Sequence, residues 1–172
     1  MEWMPFELRP APTPTLRADS EYLQSAWSKS VYPMAQRFGV EMHLPTVSPQ
    51  PHTRLAHEGM LFARQHGGDE KADAYNDAVF RAFFVNSENI GDVGVLTGIA
   101  EDIGLDGKQF RQALESGQYT DVHHYLLQHA TREMRVEAVP TIVIGKQVLR
   151  GLYAQEIIGA VVEEELGKER PQ

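Results

Sequence analysis

The chain has 172 residues, 16 lysines and arginines against 24 aspartates and glutamates, and no cysteine. Its formal net charge of −8 argues against a nucleic-acid backbone or an anionic membrane surface as partner. Without a thiol, these residues hold no disulfide, thiolate nucleophile, cysteine-ligated zinc or iron–sulfur cluster.

The length suits one domain with an inserted subdomain. No segment reaches the roughly 18–20 apolar residues of a membrane span. The start, Met1-Glu2-Trp3-Met4-Pro5, lacks the basic and apolar regions of a secretory signal. A cytoplasmic location is the expectation.

Eight of the ten prolines fall at or before Pro51, so the front third reads as one short strand followed by irregular connections. The alternation around Trp3, Pro5 and Phe6 predicts a strand over residues 2–8, at an edge because of its proline. Residues 20–38 form a weak helical pattern containing Pro33. From His52 onward the pattern is helix after helix. Leu55, Gly59 and Phe62 mark one stripe and Ala56, Met60 and Ala63 a second, which predicts a helix buried on more than one face. Gly67 and Gly68 are predicted to end it, and Tyr75, Val79, Ala82 and Phe83 continue with i, i+4, i+7, i+8 spacing. Asp92 is the predicted N-cap of a helix that Gly104 stops. Asp106 with Gln109 has the form of a capping box for a shorter helix ending at Gly117. Tyr119, Val122, Leu126 and Ala130 mark the inward face of one more.

After Val136 the pattern becomes β. Residues 141–144 are a short β-branched run, Gly145-Lys146 turns the chain, and residues 147–149 return as a hairpin partner. A last helix is predicted to face inward with Ala154, Ile157, Ile158, Val161 and Val162, and the tail from Gly167 to fray.

The seven histidines include no i, i+4 pair and no His-Glu-x-x-His, so surface or hydrogen-bonded roles are expected rather than a metal site. Phosphate-binding glycine loops and the G-x-S-x-G serine elbow are absent from the sequence. No cofactor is expected. One feature stands out: Val139-Pro140-Thr141 directly before the apolar run, where the proline pushes Val139 into extended geometry and opens a strand.

Taken together, residues 2–10 (EWMPFELRP), 51–57 (PHTRLAH), 82–91 (AFFVNSENIG), 139–144 (VPTIVI) and 151–155 (GLYAQ) resemble the DsbA-like branch of the thioredoxin superfamily. The likeness is greatest to FrnE-type oxidoreductases and 2-hydroxychromene-2-carboxylate isomerase-like proteins. The resemblance implies an α/β, thioredoxin-like fold with an all-helical insertion, lacking the family's first β-α unit. Residues 1–50 and 137–172 would form the thioredoxin-like part and 51–136 the insertion. Pro140 would match the family's cis-proline. Val139, Pro140 and Thr141 would be the substrate-binding residues, offering backbone groups to an extended peptide.

The family's C-x-x-C helix has no counterpart here, so disulfide exchange by the family mechanism is not expected of this chain, and no catalytic residue is assigned. Three readings remain open. The chain is an N-terminally shortened thiol oxidoreductase, a redox-inactive binding protein of the same fold, or a shortened relative of the glutathione-linked isomerases. A sheet without its first strand would leave unpaired edges, so a homodimer or other oligomer that completes it is expected.

Overall fold

Local side chains cap the start of three helices among the described residues. In the computed structural model, which describes residues 2–168, Ser20 Oγ accepts from the Leu23 N–H and opens α1 (Glu21–Ala26). A π-turn at Trp27–Val31 leads into α2 (Tyr32–Phe38), and Pro33, with no N–H to donate, lies in the first turn of α2. Gly39, at φ 66°, ends it.

Two compact units divide the chain, Met1–Leu127 and Gln128–Gln172. The core of the first is built on α3 (Arg54–Phe84), α4 (Val93–Asp102) and α5 (Gly107–Ser116), followed by α6 (Thr120–Gln128). Gly68 breaks α3 at φ 73° and ψ −170°, a backbone geometry open to glycine, and the helix then resumes. Asp92 accepts from Val95 N–H, and Asp106 from Gln109 N–H, so both predicted caps are made. Gln109 closes back on the Asp106 carboxylate through its side-chain amide rather than on the cap's backbone N–H. Met60, Phe62, Ala63, Tyr75, Leu96 and Phe110 are almost wholly buried in one cluster, with both predicted stripes of α3 contributing.

Two expectations for the first unit are corrected. The strand expected over residues 2–8 is not present: the segment makes no ladder, and side chains of the helical block hold it instead. Trp3 Nε1 donates to Asp73 at 2.7 Å, and Arg64 bonds both Glu2 and the Trp3 carbonyl at 2.9 Å. On α6, Val122 is about half exposed while its neighbour His123 is fully buried. Tyr119, Leu126 and Ala130 face inward as expected, and His123 takes the place expected of Val122, because a buried carboxylate gives the imidazole a polar partner that the apolar pattern does not encode.

In the second unit a π-turn at His129–Glu133 precedes the hairpin of β1 (Thr141–Ile144) and β2 (Gln147–Arg150), antiparallel with Ile144 opposite Gln147 and Thr141 opposite Arg150. Gly145 has φ 55° and Lys146 a negative φ, the combination that a type II′ turn requires. The final helix α7 (Gln155–Lys168) packs on β1 and buries no residue, so its predicted inward stripe is corrected too: Ile157 and Val162 are exposed. A two-stranded hairpin offers too little surface to cover a helix face. Gly167 and Lys168, where the tail was expected to fray, are still helical, and residues 169–172 lie outside the described residues.

Candidate functional site

Val139, Pro140 and Thr141 form the entry to β1. The Val139–Pro140 bond is cis. The Pro140 carbonyl accepts from Gly151 N–H at 2.8 Å, which extends the ladder one pair beyond Thr141–Arg150. Antiparallel pairing alternates, so residues 140, 142 and 144 direct their backbone groups toward β2. Thr141 and Val143 therefore direct theirs to the opposite edge, which pairs with no strand among the described residues. Val139 is 45% exposed, and its N–H and C=O bond no group among the described residues. Thr141 Oγ1 donates to the Ala138 carbonyl at 2.6 Å and fixes the approach to the strand. On one face of the hairpin the cross-strand pair Val143 and Val148 is exposed. Chemically, this is an open edge of donors and acceptors beside an apolar pair, which suits addition of an extended chain.

The first unit holds a polar cluster that sequence reasoning missed. Glu7 and His123 are both buried, with Nε2 and Oε1 2.7 Å apart. Burial pushes the Glu7 carboxyl up, but the hydrogen bond from His123 and the fields of His123, His57 and Arg54, the imidazoles acting when protonated, outweigh it, and the net displacement is down. An ionised Glu7 has only lone pairs to offer, so His123 carries its proton on Nε2. His57 stacks on His123 with ring centres 5.7 Å apart. Burial, and then the nearby His123, push the His57 imidazole down to about 4 against the smaller opposing pull of Glu7 and Phe6. His57 is therefore uncharged at neutral pH.

One turn along α3 from Arg54, the fully buried Glu58 accepts from the Arg54 guanidinium at 2.6 Å and from Thr120 Oγ1 at 2.9 Å. Glu7 Oε2, Glu58 Oε2 and His123 Nδ1 have no hydrogen-bond partner among the described residues. Glu7 and His123 are 116 positions apart, so no local spacing could have joined them. A histidine taking the phase of an apolar position on α6 is the one trace the sequence carries. Beside Arg54 opens a groove of about 600 Å³ walled by Val47, Pro49, Pro51, His52 and Leu55.

The DSBA-like thioredoxin domain family matches residues 1–164. YwbO, an uncharacterized protein of Bacillus subtilis (strain 168), is 44% identical over 169 residues, spanning 98% of this chain and 83% of YwbO. The solved structure of a 2-hydroxychromene-2-carboxylate isomerase superposes with a TM-score of 0.66 at 21% identity, over 86% of this chain and 68% of its own. A candidate protein disulfide isomerase from Nitrosomonas europaea superposes with a TM-score of 0.73 at 15% identity, over 94% of this chain and 80% of its own. At those identities the two structures speak to the fold alone: thioredoxin-like, of the α/β class, with extensive added helix. From the family match along almost its full length, supported by the 44% identity to YwbO, the chain belongs to the DSBA-like thioredoxin domain family.

Proposed function

We propose that this chain is a DSBA-like domain that binds an extended peptide segment along the open edge of β1, and that its own 172 residues perform no thiol–disulfide exchange. Exchange needs an attacking thiolate, and the sequence contains no cysteine. The observation that carries the binding reading is the row of unpaired backbone groups at Val139, Thr141 and Val143 beside the exposed Val143–Val148 pair. An added strand would gain main-chain hydrogen bonds along that row and seat one apolar side chain against the pair.

The test is calorimetric titration with an eight-residue peptide of alternating threonine and valine. Val143→Pro deletes a donor on the open edge and leaves every bond to β2 in place. The variant is expected to bind at least about tenfold more weakly, the worth of roughly one hydrogen bond with an added steric conflict, at an unchanged melting temperature. Equal affinity in the two proteins would remove the edge from the binding site. In an insulin-reduction assay the purified chain is expected to match the uncatalysed rate.

A second reading has one observation in its favour. The isomerase that shares the fold acts, by its name, on a carboxylate-bearing chromene. The groove beside Arg54 is of the size that small molecules occupy, and its guanidinium is part exposed. Titration of the same chain with 2-hydroxychromene-2-carboxylate separates the readings: saturable binding that Arg54→Gln abolishes would favour the groove.

A further inference from the structure

One face of the hairpin carries both apolar and basic side chains. Thr141 stands opposite Arg150 and Val143 opposite Val148, and side chains alternate along a strand, so these four share a face. Val143, Val148 and Arg150 are exposed on it, whereas Ile142, Ile144 and Leu149 on the other face are half-buried. Arg150 makes no ion pair among the described residues, and none of the four residues is acidic. An unpaired guanidinium thus stands beside an apolar pair, one strand in from the open edge.

We infer, on the reading that the open edge of β1 takes an extended peptide, that the segment it selects carries apolar and acidic side chains alternately on one face, the acidic one paired with Arg150. On an added strand, a residue beside Val143 meets the Val143–Val148 pair. The next residue on that face lies beside Thr141. From there to Arg150 is two strand spacings, about 10 Å between backbones, a span that an extended arginine and a glutamate close from both ends. Between them stands only Thr141, whose hydroxyl is already committed to the Ala138 carbonyl.

A basic side chain in the same place would meet Arg150 as a like charge. The chain's net charge of −8 favours the opposite order, attracting basic peptides and repelling acidic ones. The sign of the preference therefore separates the local pair from the field of the whole chain. A second copy of the chain suits the edge less well. Its β1 brings only Thr141 and Val143 to this face, with no acid for Arg150.

The probes are three end-capped peptides, Thr-Val-Thr-X-Thr-Val-Thr-X, with X glutamate, glutamine or lysine. Valine and X share one face whichever way the strand runs, so either docking direction presents the same pattern. The full chain is titrated calorimetrically at about 20 mM salt, where screening is weak. The glutamate peptide is expected to bind about threefold more tightly than the glutamine peptide and about tenfold more tightly than the lysine peptide, the scale of an exposed ion pair and of its reversal. Arg150→Gln, at an unchanged melting temperature, is expected to abolish the advantage of glutamate, as is roughly half-molar salt. Arg150→Lys is expected to keep the order.

Equal affinities for the three peptides, a tighter lysine peptide, or a glutamate preference that survives in Arg150→Gln would overturn the selectivity while leaving the edge as the binding site. Failure of the edge itself has a different signature: none of the peptides binds, or Val143→Pro leaves all three affinities unchanged, and this inference falls with it. A chain that elutes as a dimer and takes up no peptide would give the edge to a second copy and overturn both.

Discussion

Gly59→Ala is expected to destabilise the chain by about 3 kcal/mol, the upper end of what overpacking a core costs, and to lower its melting temperature by roughly 10 °C. A methyl group on Gly59 would fall inside van der Waals contact with Tyr75 Oη and lie 2.7 Å from Tyr75 Cζ and 2.8 Å from Phe110 Cζ. Both rings are fully buried, with centroids 5.7 Å apart, so neither has space into which to move. Helix propensity favours alanine, but by only about 1 kcal/mol, and the clash decides the sign. Gly98→Ala on α4 is the control. A Cβ there meets nothing within 4 Å, and the substitution is expected to stabilise by about 0.5–1 kcal/mol. Tyr75→Phe should be neutral or slightly stabilising, because the phenol oxygen is buried with no partner. Urea unfolding of the three variants measures all of this.

His123→Leu is expected to cost about 3–5 kcal/mol, the range for a buried pair that has lost one member. The leucine fills most of the space but leaves Glu7 with a buried carboxylate and no donor, and the carboxyl then rises and takes a proton. Replacing both Glu7 and His123 by leucine is expected to recover most of the loss, since an apolar pair has no charge to desolvate. A double-mutant cycle by chemical denaturation at pH 7.5 gives the coupling. Additive losses would mean that the 2.7 Å contact contributes nothing specific.

What could be read from sequence is what is decided locally. Asp92, Asp106 and Gly117 act within a single turn of their own helices, and the two-residue Gly145-Lys146 connection fixes the register of its hairpin. Residues whose role depends on a distant partner were read less well. The alternation in residues 2–8 fits a strand and an anchored extended segment equally, and only the groups that Arg64, Asp73 and His123 reach tell them apart. The stripe on α7 records apolar spacing but not whether anything covers it. Val139-Pro140-Thr141 was legible as a strand entrance. The free row of groups beyond it became visible only once the pairing partner of β1 was known.

The central claim is that the open edge of β1 accepts an extended peptide without any thiol chemistry. Amide hydrogen exchange by nuclear magnetic resonance, with and without the threonine–valine peptide, tests it most directly. The account predicts that the Thr141 and Val143 amides slow markedly on saturation, while Ile142 and Ile144, already bonded to β2, change little. Unchanged exchange at Thr141 and Val143 under saturating peptide, or protection confined to the first unit, would contradict it.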